Sequence, residues 1–125
     1  MTTELDFTAG QIWKYNNRPG EEDSTLTILD VEEYEREVVV HIRIDGIKMA
    51  LPNGTIADHI KHLPFSAMVL RSSVTRLIGR TPGLPPFLEG YTQWKNAFDA
   101  GKAGYWKIPV QEAVEAVCKI AREGK

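Results

Sequence analysis

The residues best suited to chemistry in this chain lie in one short run, Asp58-His59-Ile60-Lys61-His62, followed by Leu63-Pro64-Phe65-Ser66. Imidazole is the side chain that titrates nearest neutral pH, and the commonest metal ligand. Two histidines three apart can share a helix face and hold a metal, with Asp58 as a third ligand or as the carboxylate that orients a ring. No further Glu, Cys or His completes a motif, and the remaining histidine, His41, stands on another segment. A structural use, with His62 hydrogen-bonding across the corner into a following helix, is favoured over a metal centre. No cofactor is expected.

Nucleophilic catalysis finds little support. Ser66, Ser72 and Ser73 lie near the histidines in sequence, but there is no G-x-S-x-G elbow and no separately placed acid to orient a base. P-loop, dinucleotide-binding, H-E-x-x-H, C-x-x-C and EF-hand patterns are absent as well. The balance leans away from an enzyme; a small catalytic or metal-binding site on Asp58, His59 and His62 stays as an alternative.

A second group of candidates is cationic. Residues 20 to 45 hold nine acids against Arg36 and Arg43, whereas between residues 58 and 86 Asp58 stands alone against Lys61, Arg71, Arg76 and Arg80. Such segregation either steers a charged partner or marks two solvated faces, and the second is the commoner case. With a net charge of −2, the chain makes nucleic acid an unlikely partner. The residues most open to a partner are His41, Arg43, Lys48, His59, His62, Arg76 and Arg80.

These residues are positioned by a sheet and three helices. In EVVVHIRIDGIKMAL, residues 37 to 51, apolar positions alternate on both sides of Asp45-Gly46, which predicts a β-hairpin closed by a two-residue turn. Ile44 would face Ile47, with His41, Arg43 and Lys48 on the outward face. Arg43 would then oppose Lys48, a like-charge pair that needs an acid such as Asp30 or Glu32 beside it. QIWKY reads as an earlier strand, and Asn16 to Asp23 as a long, wet loop. A strand from Ser24 through TLTILDV holds Leu26 and Ile28 in one phase and Leu29 and Val31 in the other, so either both faces are partly covered or a bulge near Leu29-Asp30 shifts the phase. Thr55 to Ala57 adds a short strand.

Ser66 is a plausible N-cap for a helix carrying Ala67, Leu70, Val74, Leu77 and Ile78 and ending at Gly79, with Arg76 and Arg80 on its exposed stripe. A second helix, 87 to about 100, aligns Phe87, Tyr91, Trp94 and Phe98 on one face, which is more often core than a stacking platform. A third starts at Pro109 and turns Val110, Ala113, Val114, Val117, Cys118 and Ala121 inward.

At 125 residues, 42% apolar and 26% charged, the chain reads as a single α+β domain over 1–125: an antiparallel, SH3-like curled sheet packed by about three helices. No apolar run approaches the ~20 residues that cross a bilayer, and MTTELDFTAGQ lacks a secretory pattern, so a cytoplasmic protein with no membrane partner is expected. The stretches GQIWKYNNRPGEEDSTLTI and VVVHIRIDGI, with the tail GYTQWKNAFDAGKAGYWKIPVQEAVEAV, resemble a family of small stand-alone bacterial proteins of uncharacterised function. That resemblance implies a bacterial, cytoplasmic single domain and assigns no catalytic residue. The functional expectation is a non-catalytic binding module, its partner most naturally another protein. An inhibitor or immunity protein against a toxin or nuclease is the alternative that the acidic stretch suggests.

Overall fold

Alternating apolar residues commit the first two thirds of the chain to strands. In the computed structural model, which describes residues 7–34 and 37–123, β1 (Gln11–Tyr15), β2 (Thr25–Glu33), β3 (Val38–Ala50) and β4 (Ile56–Ser66) follow one another as an antiparallel meander. A short α1 (Ala67–Ser73) leads into β5 (Val74–Arg80), which returns to pair with β1; α2 (Leu88–Asp99) and α3 (Val110–Glu123) complete an α+β fold. The sheet is open, in the order β4-β3-β2-β1-β5. The return of β5 to β1 after one short helix is compatible with the SH3-like arrangement.

Asp45-Gly46 does not close a hairpin. β3 runs straight through it as a strand of 13 residues. A type I′ turn needs positive φ at both central residues, but here only Gly46 adopts one, at +85°, while Asp45 stays extended and pairs with His59. The pair forms an irregularity in the β3–β4 register instead, and the chain reverses at Pro52-Asn53-Gly54. That turn is held by Leu51 N–H donating to the Thr55 carbonyl at 2.9 Å and by Asn53 Oδ1 accepting from Thr55. The short strand expected at 55–57 is thus the start of an 11-residue one, and Asp58 to His62 lie inside it rather than at a corner.

The helix expected over 66–78 also stops early. Val74 is extended, and Val74, Thr75 and Ile78 are β-branched residues that pack well in a strand. Pairing this segment with β1 satisfies backbone groups that would otherwise leave β1 as an open edge. Ser66 stands at the N-cap, but its hydroxyl donates to Glu37 Oε2 rather than capping the helix.

One face of the sheet forms the core. Trp13, Leu26, Ile28, Val40, Ile42, Ile44, Leu63 and Phe65 pack with Leu70 of α1 and with Val110, Ala113, Val114 and Cys118 of α3. The α3 stripe is the expected one, although Val117 and Ala121 are only half-buried. Trp106 adds a parallel bridge beside Phe65. The loop at residues 16–23 is largely exposed, as expected, but is pinned at one point: Glu21 is 5% exposed, accepts from Arg18 and takes the Lys48 N–H at 2.8 Å, while Arg18 reaches across to Glu115.

Gly46 is held by more than its φ. A Cβ built on it would lie 3.0 Å from the Ser24 Cα, whereas one on Gly54, also at positive φ, would meet open space. Gly54→Ala should cost about 1 kcal/mol of backbone strain, and Gly46→Ala about 2–3 kcal/mol, since a backbone atom must also move. Urea denaturation of the two variants measures the difference, and equal losses would refute the close approach.

Candidate functional site

Two bulges place side chains on the sheet face opposite the core. In β2, Ile28 pairs with Ile42 but Asp30 pairs with His41, so Leu29 is the extra residue. Without it Asp30 and Glu32 would continue the inward phase of Leu26 and Ile28; with it they join His41 on the other face. In β4, Ile60 pairs with Ile44 and Leu63 with Ile42, so Lys61 and His62 together stand against Arg43 alone. This slip lets Ile60 and Leu63 both face the core while His62 turns to the side of His41.

The three groups form a continuous chain. His41 is 0% exposed; its Nε2 lies 2.8 Å from Glu32 Oε1 and its Nδ1 lies 2.8 Å from His62 Nε2. Glu32 also accepts from the Tyr91 hydroxyl and, at 2.9 Å, from the Tyr34 hydroxyl, which in turn accepts from Lys95 at 3.0 Å. The carboxylate can only accept, so neutral His41 donates from Nε2 and accepts at Nδ1. His62 therefore donates from Nε2 and carries its lone pair on Nδ1. Among the described residues Nδ1 has no hydrogen-bond partner, and no buried side-chain polar atom is left unsatisfied, so Nδ1 meets solvent.

The electrostatics agree with neutral rings. Burial holds the His41 imidazole below the ordinary histidine range, against the opposing pull of Glu32. Burial first and the His41 ring second bring His62 down to about 4. For Glu32, burial pushes the carboxyl up, but the hydrogen bonds from Tyr91, His41 and Tyr34 together outweigh it and leave it below the usual carboxylate range. Its bond to Glu32 raises the Tyr91 phenol to about 12.

α2 roofs this chain with its aromatic stripe. Tyr91 and Trp94 stand edge-on to His41 at 5.1 and 4.9 Å between ring centres, and Trp94 stacks on Phe98 at 4.7 Å. The stripe is a wall around the histidines rather than core, since no residue of α2 is buried. Where α2 begins, a cleft of about 360 Å³ opens between Lys61 and His62 on one side and Pro86, Phe87, Leu88, Glu89, Gly90 and Gln93 on the other. Gly90 faces the His62 ring: a Cβ there would come within 3.5 Å of the His62 Cβ and 3.9 Å of Nδ1, ordinary contact distances. Packing therefore does not require glycine, and its lack of a side chain leaves Nδ1 open to the cleft.

Of the residues singled out from sequence, the fold joins His41 to His62 and separates the rest. His59 and Asp58 pair with each other at 2.9 Å, and among the described residues no hydrogen bond joins either of them to His62. Among the described residues no three His, Cys, Asp or Glu side chains group as metal ligands. Arg43 pairs with Asp45 on its own strand rather than opposing Lys48, so the acid expected beside them at Asp30 or Glu32 is not needed there. Lys48 is exposed, and Arg76 and Arg80 lie on β5, not on a helix. His41 is buried under α2, not outward. Glu32, Tyr91 and Gly90 enter the site without a sequence motif; the only hint was the phase slip at Leu29, which turns Glu32 toward His41. No protein-family model, no curated protein and no solved structure matches the chain.

The neutral rings make stability depend on pH. Unfolded histidines bind protons near pH 6.5, while the folded rings stay neutral to lower pH, so the unfolded state holds more protons and stability falls as pH drops through 6.5. For His62 the loss is complete at about 4. The stabilisation from Glu32 is lost only below its ordinary 4.5, so the window between 6.5 and 4.5 reports the histidines. Thermal denaturation should show a falling Tm across that window. His62→Gln, which keeps a donor toward His41 but cannot titrate, should flatten the slope; an unchanged slope would exclude His62 as its source.

Proposed function

We propose that this chain is a non-catalytic binding module whose ligand occupies the cleft beside His62, presenting a hydrogen-bond donor to Nδ1 and an apolar body to Phe87, Leu88 and Pro86. The observation that carries the reading is the Glu32–His41–His62 chain, which makes Nδ1 a fixed acceptor aimed into a preformed concave surface. Sites of this kind combine apolar walls with a few placed polar groups. Glycine in the first turn of a helix sacrifices up to about 1 kcal/mol against alanine. At Gly90 that loss has no packing reason, and it keeps the acceptor uncovered.

A catalytic use of the same chain has less support. A base near 4 is a poor proton acceptor at neutral pH, and the cleft lining offers no hydroxyl or thiol nucleophile among its described residues. The inhibitor reading is weakened by how the acids are used. Glu21 is bound to Arg18, Glu32 to His41, Glu37 to Ser66 and Asp45 to Arg43, which leaves fewer carboxylates free to mimic a polyanion.

Phenol serves as the probe, because it joins one O–H donor to a flat apolar ring, with toluene as the control that lacks the donor. On a ¹⁵N-labelled protein, phenol should give saturable shifts at His62, Gly90 and Gln93 at millimolar concentration, and toluene much weaker ones. Gly90→Leu should abolish the shifts without lowering Tm, since it fills the cleft with a better helix former. Equal response to both probes, or full binding by Gly90→Leu, would overturn the assignment.

A further inference from the structure

We infer that the free edge of β5 is a docking site for an acidic, extended segment of a partner protein, which would add a sixth strand to the sheet. This rests on different residues from the cleft. β5 ends the strand order, so no described strand pairs with its outer side. Such edges are usually shortened, covered or interrupted by proline. The opposite edge meets that expectation: β4 contains Pro64, and Trp106 closes its end by taking the Ser66 N–H on its carbonyl and donating to the Pro64 carbonyl, both at 2.9 Å. β5 offers seven residues with no proline, and its run from Thr75 to Ile78 is exposed, including Leu77 at 39% and Ile78 at 45%. Its bulges against β1 add two residues to its length without covering it.

Charge selects the occupant. Lys14 of β1 lies directly across from Arg76, and Gln11 from Arg80. A like-charge pair facing across a sheet is unfavourable unless an anion lies beside it. Among the described residues Lys14 donates only to the Glu22 main-chain carbonyl, at 2.9 Å, and Arg80 only to the Thr8 hydroxyl, at 3.2 Å. Among the described residues Arg76 has no hydrogen-bond or ion-pair partner, and β5 itself contains no acid. A strand alternating Glu with Val would supply carboxylates to Lys14 and Arg76 on one face and apolar side chains to Leu77 on the other, while its backbone bonded to the open edge. That is recognition by β-augmentation, in which main-chain hydrogen bonds supply affinity and side chains supply selection. A second copy of this chain fits poorly, because pairing β5 with itself would bring more arginines together.

The probe is a blocked peptide, acetyl-TVEVEVT-amide, added to the full chain and followed by amide hydrogen exchange and ¹⁵N shifts. The expected result is saturable protection confined to residues 74–80. Arg76→Glu, an exposed substitution that leaves the fold intact, should weaken binding by about tenfold, and a peptide with Lys for Glu should not bind. Backbone N-methylation of alternate residues removes the strand's donors at unchanged charge and should abolish the protection. Binding that survives N-methylation would show plain charge attraction and overturn the proposal. So would concentration-dependent dimerisation by sedimentation that Arg76→Glu strengthens, or tighter binding of single-stranded oligothymidine than of the peptide at the same salt.

Discussion

A neutral imidazole with no exposed surface must have both ring nitrogens satisfied by the protein, and His41 imposes that demand on everything around it. Its donor goes to Glu32 and its acceptor takes the proton of His62. Leaving either nitrogen unpaired in that setting would cost about 1–3 kcal/mol. Three strands therefore have to deliver three side chains to one point, and the register of β2 against β3 and of β3 against β4 follows. Tyr91 then fixes α2 over the same point through its bond to Glu32. The tautomers, the open Nδ1 and the cleft all descend from the one buried ring.

The part of this arrangement that local pattern encodes is the strand phase. Leu26 and Ile28 in one phase with Leu29 and Val31 in the other leave two choices, a strand covered on both faces or an extra residue in β2, and the structure takes the second, at Leu29. What the pattern does not encode is the result on the far face, because the carboxylate turned by Leu29 meets a histidine from the next strand and tyrosines far along the chain. The second bulge, in β4, is hidden for a different reason. Asp58 to His62 alternates too weakly to be read as a strand, and a two-histidine spacing suits a helix face. Only pairing with β3 makes it extended.

Two misreadings share one cause. Asp45-Gly46 has the composition of a tight turn, and residues 67–78 have the spacing of a helix, yet Asp45-Gly46 and the half of that run from Val74 onward became strand because a neighbouring strand had backbone groups to satisfy. Local preference in each case is worth on the order of 1 kcal/mol, less than a run of ladder hydrogen bonds with the burial that accompanies them. The α3 stripe and the aromatic line of α2 were legible because nothing competes with them: each lies on a sheet face, not in its ladder. The aromatic line was legible as a face but not as a site, since its rings surround polar groups supplied by β2, β3 and β4.

That α2 contributes no buried residue has a consequence for local stability. It is held by ring edges, the Tyr91 bond and the Trp94 indole N–H on the Gly104 carbonyl, so lifting it would open no void in the core between the sheet and α3. Segments with few buried apolar contacts open at a small fraction of the global unfolding free energy. The α2 wall of the cleft is thus a separable cooperative unit, which opens at a free energy set by its own few contacts rather than by the stability of the sheet beneath it.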